Sequence, residues 1–190
     1  MNVLAAAQAF NEKAARQNWN QFCDPALAFS DPCYLQLLTL WRAKAGDHKM
    51  PARSQMTARD LKDHLRHISL VQREEDNGAS HYRWRLIGTS VTPIVGHHTG
   101  KLFEESVPAA HVSRWVQVCD MILESEQPWR FLGRVHIQDR EYLDAEHLYL
   151  PLADDNNVPN FVMGFCRYTP RFQDNHLSEN EIASLPRGLL

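Results

Sequence analysis

The stretch "AAHVSRWVQVCDMILESE", Ala109 to Glu126, carries the strongest helical signal in the chain. Val112, Trp115, Val116, Cys119, Ile122 and Leu123 recur at the three- and four-residue spacing that lines one face of an α-helix. Pro128 ends the pattern, because proline has no N–H for the helical ladder. A helix with a single apolar face needs a layer to cover, so the segments on either side decide what kind of layer that is.

Both sides read as strands. Upstream, "HISLVQREE" (67–75) alternates Ile68 and Leu70 with polar neighbours. "EDNGAS" (75–80) has turn chemistry, and "HYRWRLIG" (81–88) places Tyr82, Trp84 and Leu86 at alternate positions, so the pair reads as a hairpin. Downstream, "WRFLGRVHI" (129–137), "EYLDAEHLYLPL" (141–152) and "NFVMGFCRY" (160–168) are separated by "QDR" and by the turn-rich "ADDNNVP". Gly88, Pro93, Gly96 and Gly100 leave room only for short helical turns before the long helix. Strands joined by short turns pair antiparallel. The expectation is an α+β fold with a five-stranded antiparallel sheet and its helices gathered on one face.

Further upstream, "SDPCYLQLLTLWRAKAG" (30–46) is a helix with visible ends. Asp31 can cap it, Pro32 suits its first turn, Leu35, Leu38 and Trp41 form a stripe, and Gly46 can end it. Thr57 and Asp60 have capping-box spacing before Leu61 and Leu65, which predicts a second short helix. Residues 1–30 read as a leader, helical in its alanine-rich part and loosely attached where "RQNWNQF" loses the apolar period. Residues 31–170 form the domain. Residues 171–190 are a polar tail in which Ser178 and Glu181 could start a terminal helix.

A chain of 190 residues with 44% hydrophobic content is expected to form one domain with a real core. Twenty basic against 23 acidic residues, with no block of like charge, argue against nucleic acid and against an anionic membrane surface. Cys23, Cys33, Cys119 and Cys166 lie far apart without a C-x-x-C pair, so neither a zinc knuckle nor a redox dithiol is indicated, and a reduced, cytoplasmic setting is the simpler reading. "VLAAAQAF" lacks the basic leader of a signal peptide, and no apolar run is long enough for membrane insertion.

The ordered series "LWRAKAG", "MPARSQMTARDLKDHLRHISLV" and "YRWRLIGTSVTPIVGHHTGKLFEE" resembles a bacterial family of mostly standalone PAS-fold proteins, first catalogued as a domain of unknown function. The resemblance spans about residues 31–169. It implies a sensory or protein-interaction module whose sheet and long helix enclose a small ligand, and it names no particular ligand, since one fold hosts many functions. The flavin photoreceptors of this superfamily carry a reactive cysteine in an "NCRFLQ"-like motif before the long helix. Here "HHTGKLFEES" has no cysteine, which argues against flavin.

The candidate chemistry is sparse. His97 and His98, between Gly96 and Gly100, are expected on the surface of a turn, since adjacent side chains in a turning segment point apart and hold one metal poorly. Haem-binding PAS proteins attach iron through a histidine on the long helix, which makes His111 the better haem candidate, but at the first turn of that helix it can equally face water, and a lone histidine is weak evidence for a ligand. Haem and metal are not expected. Trp84, Trp115, Trp129, Phe131, Phe161, Met163 and Phe165 should meet in one layer, as solid core or as pocket lining, with core the favoured reading. Cys119 in that layer reads as a small inert hydrophobe. Asp144 and Glu146 share one strand face, opposite His147, and Arg130 and Arg134 could pair with them across the hairpin. Arg53 reads as a docking residue for the leading helix.

The resemblance implies a cytoplasmic PAS-like sensory or regulatory module, and the sparse candidate chemistry adds the expectation of no catalysis of its own. It would bind a small apolar or aromatic ligand, a signalling protein partner, or both. The expected ligand-binding residues are Trp84, Trp115, Cys119, Trp129, Phe131 and Met163, and the N-terminal helices are the expected homodimer surface. Two alternatives remain open. One is a small α+β pocket enzyme, which predicts inward-facing His136, Asp144 or His147 with shifted pKa values. The other is a structural adaptor with a filled core.

Overall fold

A computed structural model describes residues 2–76, 78–135 and 143–170. The chain runs α1 (Val3–Arg16), β1 (Gln21–Asp24), α2 (Pro32–Ala45), β2 (Ile68–Asp76), β3 (Ala79–Ile87), the short turns α3 (Thr92–Val95) and α4 (Phe103–Ser106), α5 (Ala109–Ser125), β4 (Trp129–Arg134), β5 (Leu143–Ala153) and β6 (Pro159–Pro170). His136, the "QDR" turn and the expected terminal helix at Ser178 and Glu181 lie outside the described residues.

All strands pair antiparallel, in the order β1-β4-β5-β6-β2-β3. The sheet therefore has six strands where five were expected, and the sixth comes from the supposed leader. The loss of apolar period in "RQNWNQF" marks a switch from helix to edge strand. β1 lies against β4 with Cys23 opposite Phe131. Gly133 permits that approach, since a Cβ there would sit 2.5 Å from the Asn20 carbonyl oxygen.

The helices cover both faces, not one. On one face α1 (Ala7, Phe10, Ala14) and α5 (Cys119, Ile122, Leu123) pack over Trp129, Phe131, Trp84 and Val162. On the other, α2 (Tyr34, Leu37, Leu38, Trp41) packs over Leu148, Leu150, Leu152, Met163 and Phe165. The physical reason lies in the central strands: β5 and β6 carry apolar side chains at both parities, and a strand buried on both sides needs two covers. The α1 stripe offered as a dimer surface is thus occupied by the chain's own sheet. The stripe of α2 runs through Leu37 rather than Leu35, which points outward at 45% exposure.

The ends of α2 are as expected: the Asp31 carboxylate accepts from the Cys33 N–H, and Gly46 closes the helix at φ 56°. Thr57 and Asp60 also exchange their capping hydrogen bonds, yet only turns and a 3₁₀ segment at Leu65–His67 follow. The backbone there is engaged sideways. The Arg66 carbonyl accepts from Ser90 N–H, the Ile68 carbonyl from Gly88 N–H, and a side chain on Gly88 would strike the Leu65 and Arg66 carbonyls at 2.4–2.6 Å.

A bulge in the first hairpin overrides simple alternation. Leu70 pairs with Leu86 but Val71 pairs with Trp84, so Arg85 is an extra residue. Tyr82 and Trp84 consequently join the core under α5, while Leu86 packs on the α2 side.

Candidate functional site

Under the first half of α5 the two layers do not close. A cavity of about 170 Å³ lies between α5, the α3–α4 connection and the inner faces of β2, β4, β5 and β6. Under the second half of α5 the same interface is solid: Trp129 and Phe131 are fully buried, and the Trp129 indole N–H donates to Ser125 Oγ at 2.7 Å.

The floor is built from alternate residues of the central strands. His147 and Tyr149 point inward from β5, opposite Cys166 and Gly164 of β6. Their rings lie parallel, centroids 5.5 Å apart and planes at 5°, and Tyr168 meets His147 edge-on at 5.9 Å. Gly164 makes room for this arrangement, since a Cβ there would lie 2.7 Å from Ser69 Oγ and 2.8 Å from Tyr149 Cε1. The roof is α5, with His111, Arg114, Trp115, Val118 and Cys119. One side wall is aromatic: Trp115 stands edge-on to both Trp84 and Phe103, at 5.7 and 5.5 Å.

The expected ligand residues therefore separate. Trp84, Trp115 and Cys119 line the cavity. Trp129 and Phe131 share the layer but sit in its filled half. Met163, with Phe161 and Phe165, faces α2 on the opposite side of the sheet. These three follow the parity of Leu148, Leu150 and Leu152, which places them a full sheet thickness away from Trp84.

The histidines depart from expectation in an informative way. His97 is exposed on its turn, as read, but His98 turns inward to the cavity wall, where its Nδ1 is buried without a hydrogen-bond partner. Gly96, at φ 94°, permits this: a Cβ there would lie 2.5 Å from His98 Nε2. His111, half-buried, also borders the cavity. His147 is enclosed by protein except where its ring meets the void, and burial lowers its pKa to about 4, so it is neutral at pH 7. Burial, and secondarily the charge of Arg114, lower the pKa of His111.

The rest of the lining is chemically quiet. Burial pushes the Cys119 thiol well up and the Cys166 thiol to about 12, so both are protonated at neutral pH and are poor nucleophiles. Glu146 faces away from the cavity and pairs with Arg130 at 2.7 Å, the cross-hairpin pairing expected of it, and Arg130 also holds Asp24 at 2.7 Å. Asp144 is exposed. Among the described residues no group of three or more His, Cys, Asp or Glu side chains is placed to hold a metal ion. Arg53, away from this cavity, donates to the Met56 carbonyl and borders a second, smaller cavity with Met56 and Leu61.

Sequence reasoning missed Arg114, Tyr149 and Tyr168, which all line the cavity. Arg114 falls one position from Trp115, off the strict apolar stripe. Tyr149 shares the parity of His147, and that pairing was the available signal.

A PAS domain family model matches residues 30–167, well over half of the chain. No curated protein matches it. The chain belongs to the PAS domain family, as the antiparallel sheet crossed by one long helix also indicates.

Proposed function

We propose that this PAS-family chain is a sensory module that binds a small ligand in the cavity under α5 and passes its bound state to a signalling protein, without catalysing a reaction. The observation that carries this reading is the division of one interface into a solid half and an open half. A void of about 170 Å³ that remains open beside Trp129 and Phe131 costs packing energy, which a ligand would restore. A cavity of about 150 Å³ accommodates one benzene ring.

The pocket-enzyme alternative gains one feature, the inward His147 with its depressed pKa. It lacks the complement. Among the described lining residues no carboxylate orients an imidazole or shares a proton with one, and both thiols are held protonated.

The N-terminal segment supplies a physical path for output. Gln21 of β1 borders the cavity, and the Arg114 guanidinium lies over the Trp19 ring, 5.6 Å from its centroid. A ligand that moves Arg114 therefore bears on the α1–β1 connection, where a partner protein or a second copy of the chain could read the change.

Native mass spectrometry of freshly purified protein, with thermal unfolding in the presence and absence of cell extract, tests this reading. The expected result is a small bound mass and an extract-dependent rise in Tm, both lost in Cys119→Trp, which would fill the void. No bound mass and no extract-dependent shift, with Cys119→Trp destabilised by about 1–3 kcal/mol through overpacking, would leave the structural adaptor standing.

A further inference from the structure

We propose that the ligand is a small monocarboxylate with one aromatic ring or a short aliphatic chain, held by the Arg114 guanidinium with its apolar part against Trp84, Trp115 and Val162. This rests on the reading of the cavity as a ligand site and specifies its chemistry.

The first support is a reversal of charge. The chain as a whole carries more acidic than basic residues, 23 against 20. Among the described residues that line the cavity the permanent charges are one-sided: Arg114 and Arg134 border it beside histidines of which His147 is neutral at pH 7, and neither Asp nor Glu does. A wall with a single sign of charge and low-dielectric neighbours concentrates ions of the opposite sign.

The second support is the state of Arg114 itself. Other partly buried arginines among the described residues have polar partners: Arg130 holds Asp24 and Glu146, Arg83 grips Glu74 through two hydrogen bonds of 2.8 Å, and Arg53 donates to the Met56 carbonyl. Arg114 has neither an ion pair nor a hydrogen bond among the described residues, and its contact is the face of Trp19. Burial even pulls its pKa down, as expected of a cation removed from water without a counter-charge. A guanidinium with five N–H donors in a fixed fork matches a planar carboxylate, and the bidentate pair is the strong form of that contact.

Size and polarity define the remainder of the ligand. The void of about 170 Å³ admits one ring or a chain of comparable volume. His147 is neutral at pH 7, and Arg134 is exposed at the rim, so Arg114 is the fixed positive charge within the walls. One enclosed charge suits a monoanion better than a di- or tricarboxylate, whose further charges would face Val118, Val162 and the aromatic wall unpaired. His98 Nδ1, buried without a partner, gives the same wall a further polar atom.

Isothermal titration of the full chain tests the proposal with two anions, phenylacetate and hexanoate, and two neutral analogues, phenylacetamide and 2-phenylethanol. At least one anion should bind the unmodified protein ten-fold or more tightly than phenylacetamide. Arg114→Gln should remove that preference while 2-phenylethanol still binds, and Arg114→Lys, which keeps the charge but loses the fork, should fall between. Arg114→Lys also serves if Arg114→Gln does not fold. Cys119→Trp should block every probe. Neutral analogues binding as tightly as the anions, or an anion preference that survives Arg114→Gln, would overturn the carboxylate proposal and leave the cavity as a ligand site. Failure of all four probes to bind would overturn both.

Discussion

The side-chain amide of Asn11 closes on both backbone groups of Cys23: Oδ1 accepts from the Cys23 N–H at 2.7 Å, and Nδ2 donates to the Cys23 carbonyl at 2.9 Å. A helical side chain thus takes the hydrogen bonds that a seventh strand would otherwise make with the outer edge of β1. This contact joins α1 to the sheet edge, and Phe10 backs it by meeting Phe131 edge-on at 5.1 Å.

Asn11→Ala should therefore destabilise the fold by about 2–4 kcal/mol, because it leaves two buried backbone groups without partners. Urea unfolding measures this. Asn11→Asp should be comparably harmful, since it keeps the acceptor, loses the donor and buries a charge. Stability unchanged by either substitution would mean that the amide does not hold β1.

The Trp129 and Trp115 rings should respond differently to truncation. Trp129 is fully buried in the solid half of the interface, and Trp129→Ala should cost about 3–5 kcal/mol. Trp115 borders a void and is only partly buried, so Trp115→Ala should cost distinctly less in the absence of ligand. Chemical denaturation of the two variants gives the order, and equal losses would contradict the division of the interface into a solid and an open half.

His147 gives a pH dependence with a definite sign. Its native pKa of about 4 lies below the ordinary 6.5, so from pH 6.5 down to 4 the unfolded chain takes up a proton that the native state refuses. Stability should be fully present above pH 6.5 and fall as pH drops toward 4. The contribution has a ceiling of about 3.5 kcal/mol at ~1.4 kcal/mol per pKa unit, reduced because the ring borders the void. The difference between the unmodified protein and His147→Phe, followed by urea unfolding from pH 7.5 to 5, isolates it. Parallel pH profiles would show that His147 titrates normally.

Gly164→Ala should act on both stability and binding. The added methyl would meet Ser69 Oγ and the Tyr149 ring inside normal contact, which forces that ring to shift, at a cost of about 1–3 kcal/mol. Because Tyr149 forms part of the cavity floor, affinity for the bound ligand should change as well. Thermal unfolding with and without ligand separates the two effects, and an unchanged Tm would show that the ring yields freely.

Local sequence determined the elements wherever the physics is local. The face of α5, the Asp31 cap and Gly46 stop of α2, and the antiparallel pairing forced by short turns depend on residues a few positions apart, and each is present in the fold. The Arg130–Glu146 pair was legible for the same reason, as a cross-strand neighbour in one hairpin. What remained undetermined depends on which elements meet. Strand periodicity assigns residues to two faces without stating what covers each, so Met163 could be grouped with Trp84 although they lie on opposite sides of the sheet. The bulge at Arg85 changes parity within a strand through its partner's register, and β1 is a strand because β4 and Asn11 supply its hydrogen bonds. The cavity is the furthest from sequence: solid core and open pocket use the same apolar and aromatic residues, and only the distance between α5 and the sheet at each end decides which of them Trp129 and Trp115 border.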